Sequence, residues 1–428
     1  MPPSRSGEVL ARVADRVGLA GLAMFAFGYV AGRALANVGL GLLLVALLLA
    51  LPRCAGLLRS DPLVRLGLAW MAYCAGLAAW ASTVYPHSRQ YESLPEVWSF
   101  AFIPLVALAT RGNDRRVMAA LLLALAGLMY RLAKDAHFGN GPIFDYADTA
   151  LGGGRNLAVL FIDVGALGAV ALLLGLATLR GWPVARRAPA MAVVGACLAV
   201  LMLAWVSARS RTSLVALPLA VTVLLLRDWL GSGQFQRARL AGAGLGLALL
   251  AVVLTHLPEI GAELGKDADT WRAIASGRLD AVAIDATGYR IHMWQLAYAR
   301  WIEHPLTGVG PHVSHLLGGD PQRPFLAAFN QFHSGFVELL LRAGLIGAAV
   351  VATAATLIAR SARQALREGG MTRRLHDFLV LGLLVFLLLN VSNSILFFQQ
   401  GWHFLVLFGG VAYGYRWRPA ADPTLTRP

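Results

Sequence analysis

Charge is what this sequence has least of. Of its 428 residues only 14% are Asp, Glu, Lys or Arg, and lysine occurs just twice, at Lys134 and Lys266. Soluble domains carry roughly 25% charged residues, so this chain cannot dress a water-facing surface over its whole length. Cysteine is scarce too: Cys54, Cys74 and Cys197 fall in a short turn and in two apolar runs, which excludes a disulfide framework and a cysteine-based metal site. The excess of 37 basic over 23 acidic residues, almost all of it arginine, sits in short clusters between apolar runs. That arrangement is a topology signal and excludes a nucleic-acid-binding face.

What is present is apolar sequence: 57% of residues are hydrophobic and the mean hydropathy is +0.62. Runs close to the roughly 20 residues needed to cross a bilayer recur along the chain. They predict spans near 17–36, 38–52, 62–84, 95–110, 117–134, 156–179, 188–207, 212–229, 238–256, 335–359, 376–393 and 400–415. The first run reads as an uncleaved signal anchor. The fold class expected is therefore an all-α integral membrane protein of about 12 transmembrane helices, with a large, partly helical loop at 257–334 between helices 9 and 10. It divides into a nine-span region, 1–256, the loop, and a three-span region, 335–428. The dense clusters Arg53/Arg59/Arg65, Arg111/Arg115/Arg116, Arg180/Arg186/Arg187 and Arg360/Arg363/Arg367 all fall on one side when both termini are cytoplasmic. Positive charge is retained inside, so the loop faces the periplasm or its equivalent.

Basic residues outside those clusters become candidates for function. Ser207-Ala208-Arg209-Ser210-Arg211-Thr212-Ser213 joins the seventh and eighth spans with almost no spare length, holding two guanidinium groups beside a helix start where phosphate binds well. Two arginines snorkelling onto ordinary lipid phosphates would read the same way. In the loop, Tyr289 to His304 reads as an amphipathic helix with Arg290, Trp294, Ala297 and Trp301 along one face, ended by Pro305 and a glycine turn at Gly308 and Gly310. A helix resting on lipid headgroups, with Arg290 at a phosphate, fits that stripe as well. His333 and Ser334 stand at the entrance of the tenth span, where histidine is also a common interfacial residue. Glu338 lies a turn further in and needs a cation, for which Arg342 has i, i+4 spacing. Gly152-Gly153-Gly154-Arg155 lacks the lysine and strand of a phosphate loop, and the loop histidines show no metal-ligand spacing. Asp163, inside the sixth span, is either a helix-bundle hydrogen-bonding residue or part of an ion path. Transporter folds usually show internal repeats, and none is visible between the two halves of this chain.

Three segments now stand in order: Ser207 with Arg209 to Ser213; Arg290, Trp294, Ala297, Pro305, Leu306, Gly308 and Gly310; and His333, Ser334, Glu338, Gly344 and Gly347. Together they resemble the O-antigen ligase and polymerase superfamily, a GT-C-like group of envelope glycosyltransferases, and among its branches the ligases most closely. O-antigen polymerases and protein O-oligosaccharyltransferases of the same superfamily are the alternatives; Ser334 stands where the family often has Asn. The resemblance implies an inner-membrane enzyme that moves O-antigen glycan from undecaprenyl pyrophosphate to a sugar hydroxyl of lipid A-core at the periplasmic face. It needs neither metal nor nucleotide and inverts the anomeric centre. His333 is implied as general base and Arg209, Arg211 and Arg290 as the pyrophosphate-binding set. Glu338, Ser334 and Trp294 play supporting roles.

Overall fold

The computed structural model describes residues 5–137, 143–144, 155–179, 181–208, 210, 212–213, 215–220, 222–223, 265 and 267–418. Among these there is no strand, only one isolated bridge between Ala136 and Phe144. Seven helices among the described residues are long and apolar enough to cross a membrane, or eight when a bent pair is counted as one span. The described part of the chain is all-helical, and the protein is a multi-pass membrane protein.

The first hairpin, α1 (Arg5–Ala31) and α2 (Arg33–Ser60), corrects the expected boundary. The break falls at Gly32, so Arg33 opens α2 and does not close the first span. Ala31-Gly32-Arg33 carries no strong breaker, and the turn is set by packing: a Cβ on Gly28 would lie 2.6 Å from the backbone of Ala36, and one on Gly39 only 2.4 Å from that of Phe25. Small residues let the two backbones meet where lipid supplies no hydrophobic drive. α3 (Pro62–Val84) follows, capped by Asp61, whose carboxylate accepts from the Leu63 and Val64 amides. The expected span at 95–110 is a bent pair, 90–97 and 99–110, with a 46° break; it contains the short α4 (Leu94–Val97) and α5 (Ile103–Thr110). α6 (Asp114–Asp135), α7 (Arg155–Thr178) and α8 (Val184–Ser207) complete the part before the hairpin. The spans expected at 212–229 and 238–256 lie mostly or wholly outside the described residues.

Residues 267–334 form a layer of short helices with a core of their own, built on Met293, Leu296, Val309, Val313, Leu317 and Phe332. It contains α9 (Ala268–Ala275), α10 (Ala286–Trp301) and α11 (His315–Gly318). Then come α12 (Gly335–Arg367), α13 (Arg373–Ser392) and α14 (Gln399–Gly414). α14 has only 16 residues, and every one from Gln400 to Gly414 except Leu405 is buried, so the other helices shield it from lipid.

The expected tenth span is not one helix, because α12 breaks at Gly344 (φ +62°). The backbone groups released there bond to the glycine turn of the loop: Val309 donates to Leu341 O at 2.8 Å, and Leu345 and Ile346 donate to Pro305 O and Leu306 O at 3.0 and 3.1 Å. A Cβ on Gly344 would sit 2.3 Å from Leu306, and one on Gly308 (φ +72°) 2.6 Å from Leu341 O. Two glycine motifs 36 positions apart are therefore the two halves of one joint, which seats the loop on the membrane part.

Candidate active site

The site starts from α10. Asp285 caps it, accepting from the Thr287 and Gly288 amides at 3.1 and 2.7 Å, while its other oxygen accepts from Thr270 at 2.7 Å. Thr287 in turn donates to Asp267 at 2.6 Å, so α9 and the start of α10 are cross-linked. One turn along, Arg290 Nη1 donates to Ala286 O at 3.1 Å. Trp294 Nε1 then donates to Phe332 O at 3.0 Å, and Trp301 Nε1 to Pro305 O at 3.1 Å. The tryptophan stripe packs on the loop's own core, while Tyr298 and Ile302 are the exposed large hydrophobic residues of this stretch. Both indole N–H groups have thus found backbone acceptors within the loop.

The carbonyl held by Trp294 belongs to the residue before His333. That histidine adopts φ +51°, a left-handed conformation a side-chain-bearing residue takes only at a cost of about 1 kcal/mol or more. Its ring lies edge-on to Phe329, with centroids 5.8 Å apart, and Phe329 in turn packs on Tyr289. Nδ1 is buried and has no hydrogen-bond partner among the described residues. Burial, and secondarily the Arg290 guanidinium, lower its pKa to about 4. Trp294 on the Phe332 carbonyl and Tyr289 on Phe329 hold α10 beside His333, 43 positions on from Arg290, and the lowered pKa leaves the imidazole neutral at pH 7.

Below His333 lies a buried polar chain. Ser334 caps α12, accepting from Val337 N and donating to Asn390 O, both at 3.4 Å. Glu338, wholly buried, accepts from the Phe332 amide at 2.9 Å and from Ser394 Oγ. The anticipated partner is in place: Arg342 reaches Glu338 Oε2 through Nε (3.2 Å) and Nη2 (2.9 Å). Arg342 Nη1 also donates to Glu96 at 3.0 Å and Pro311 O at 2.8 Å, over the Phe397 ring at 4.3 Å. Glu338 thus fixes the backbone on one side of His333 and Ser334 fixes the other.

Of the hairpin 207–213, Arg209 and Arg211 lie outside the described residues. Their neighbours are anchored. Ser213 Oγ donates to Asp163 Oδ1 and accepts from Trp205 Nε1, both at 2.6 Å, and Thr212 Oγ1 shares a 2.7 Å hydrogen bond with Ser392 Oγ. Ser392 ends α13, and the next residue, Asn393, accepts from the Gly335 amide at 3.0 Å. The hairpin, the His333 segment and α10 are therefore joined end to end.

The connecting segment, Asn390-Val391-Ser392-Asn393-Ser394, was not among the expected site residues. It reads as the end of an apolar run, although four polar residues in five were a signal. Its fit is close: a Cβ on Gly335 would lie 2.2 Å from Asn390 Oδ1. Among the described residues no group of three or more His, Cys, Asp or Glu is arranged to hold a metal ion. His312 instead bonds Ser93 at 2.8 Å and Ser314 at 2.7 Å.

A multi-pass membrane protein with a cationic and imidazole-bearing site on a helical loop is the class these features define. Residues 196–352 match the O-antigen ligase family, a stretch that begins in α8, contains all three motif segments and ends past the Gly344 joint. The match supports that family, and with it a glycosyltransferase-like enzyme of the O-antigen pathway. No curated protein matches the chain.

Proposed function

We propose that this protein is an O-antigen ligase: it transfers O-antigen glycan from undecaprenyl pyrophosphate to a sugar hydroxyl of lipid A-core, at the periplasmic face of the bacterial inner membrane. In this reading the chain makes about twelve spans with both termini cytoplasmic, divided as 1–256, 257–334 and 335–428. The observation that carries the proposal is the buried, left-handed His333, held against α10 by the Trp294 bond to the Phe332 carbonyl and by Phe329 packed on Tyr289, the neighbour of Arg290.

The reaction breaks the bond between the anomeric carbon and the diphosphate oxygen and forms one to the acceptor oxygen. Negative charge grows on the departing diphosphate, where Arg290, Arg209 and Arg211 stabilise it with fixed guanidinium forks. The acceptor proton goes to His333. An imidazole with a pKa near 4 is a weak base while the site is empty. A bound diphosphate offsets the Arg290 charge that helps depress it, so the donor itself raises the imidazole's basicity, while burial, the larger cause, still holds it below the ordinary value. Attack from the face opposite the leaving group inverts the configuration. Trp294, Ser334 and Glu338 hold the reacting groups without touching the reacting atoms.

The test uses Arg290→Ala and His333→Asn, the latter chosen because Asn tolerates the left-handed backbone. Both variants are expected to insert normally, accumulate glycan on the lipid carrier and leave lipid A-core unmodified. Normal transfer by both would overturn the reading, and lengthened carrier-linked chains made by the unaltered protein would make it a polymerase.

A further inference from the structure

The loop's own core is filled by Met293, Leu326 and Phe332, each 0% exposed. Outside it a row of rings runs along the site and stays half-buried: His292, Phe325, Tyr289, Phe329 and His333. Their centroids lie 5.4, 5.8, 5.0 and 5.8 Å apart in that order, with the planes inclined by 71°, 57°, 54° and 84°. Two of the rings come from α10, and two from the turn Pro324–Ala328 and the extended residue after it. The mechanism uses only the last ring, His333. Polar atoms without partners lie along the same row: among the described residues His292 Nδ1, Gln331 Oε1 and His333 Nδ1 are buried and make no hydrogen bond. Such atoms are few in a folded chain and costly, so three in one place require a reason.

Aromatic rings bordered by unpaired polar atoms suit a sugar. A pyranose carries C–H groups on its faces and hydroxyls around its rim, so it can lie against the rings and hydrogen-bond at their edge. An acyl chain over the same rings would leave the polar atoms unpaired. The place in the site says which sugar. The oxygen that gives its proton to His333 must come within about 2.6–3.2 Å of the imidazole, and Phe329 lies edge-on to that imidazole. The sugar bearing this oxygen therefore lies beside Phe329, while the donor's sugar is one bond further off, between that oxygen and its diphosphate. We infer that Tyr289, Phe325 and Phe329, with Gln331 at their edge, form the subsite for the acceptor sugar, a pyranose of lipid A-core, and determine which sugar receives the glycan. The inference rests on the glycosyl-transfer reading for its ligand, and it adds residues and a specificity that reading does not contain.

The experiment uses the full-length protein in lipid nanodiscs. Two probes are titrated separately, the oligosaccharide released from lipid A-core and the glycan-loaded undecaprenyl pyrophosphate; intact lipid A-core with the loaded carrier then gives turnover. Phe325 is the cleanest position, because its ring meets Tyr289 and His292 and not the imidazole. Phe325→Leu should weaken oligosaccharide binding and raise the acceptor KM about three- to tenfold, the size of one aromatic contact. The donor KM should stay at the unaltered value and kcat within about twofold of it. Phe325→Tyr, which keeps a ring, should bind the oligosaccharide nearly as the unaltered protein does. Gln331→Ala should raise the acceptor KM without moving the donor's, and it carries the test if Phe325→Leu fails to insert. Unchanged oligosaccharide binding in the variant that inserts overturns the inference. So does a loss confined to the donor, or an equal loss for both substrates with a lowered thermal midpoint. Oligosaccharide binding that depends on these residues in a protein that transfers no glycan upholds it while removing the ligase reading.

Discussion

Two buried carboxylates, Asp61 at the start of α3 and Glu338 in the first turn of α12, are put to different uses. Asp61, 3% exposed, accepts from the Leu63 and Val64 amides, from Tyr413 Oη at 2.9 Å to both oxygens, and from Trp417 Nε1 at 2.9 Å. A half-exposed Arg416 Nε adds an ion pair at 3.4 Å, and every other partner is a fixed part of the helical bundle or its end. Glu338 is as well satisfied, but one of its donors is the amide next to His333. The same requirement that a buried charge be fully hydrogen-bonded locks a helix terminus in one place and aims an imidazole in the other. What a carboxylate does here is decided by what lies one residue beyond its partners.

The sharpest break of this comparison is at the imidazole itself. His333→Asn should lower kcat by about two to four orders of magnitude while leaving the fold intact, as loss of a general base does; glycan transfer to lipid A-core by purified protein measures it. Next comes Glu338→Ala against Asp61→Ala. Removing Glu338 leaves Arg342 buried with half its partners, a loss of about 3 kcal/mol or more in stability, and frees the His333 backbone, so turnover per folded molecule should fall as well. Asp61→Ala orphans the Tyr413 and Trp417 donors, at about 1–3 kcal/mol each, yet turnover per folded molecule should stay within about twofold of the unaltered value. Equal activity losses in the two would erase the distinction. Gly344→Ala tests the seat of the loop: with φ at +62° and a Cβ placed 2.3 Å from Leu306, it should cost about 2 kcal/mol or more and loosen the loop, seen as faster proteolysis between 267 and 334.

The smallest effect is on pH dependence. A base acts when unprotonated, and a lowered pKa extends that state downward, so kcat/KM should stay level from pH 8 to about 5 and fall only as His333 protonates near 4. In Arg290→Ala the cation that helps depress it is gone, so the His333 imidazole, followed by NMR because this variant should not turn over, should titrate somewhat higher, with burial still holding it below the ordinary histidine value. A limb near pH 6.5 in the unaltered protein would count against the burial that sets this site apart from an interfacial histidine.

By itself the sequence determined the membrane class, through apolar runs of bilayer length. It determined the pairing of Glu338 with Arg342, because residues four apart on a helix share a face whatever surrounds them. Local rules of that kind are written in adjacent residues. Only the tertiary structure decided that the hairpin turns at Gly32, that α12 breaks at Gly344 to receive the loop's glycine turn, and that Trp294 looks inward. It alone brought Asn390 to Ser394 between His333 and Thr212, and gave Asp163 a partner in Ser213. Each of these depends on two backbones or side chains distant in sequence approaching within bonding range, and a spacing pattern along one segment carries no record of what lies against it.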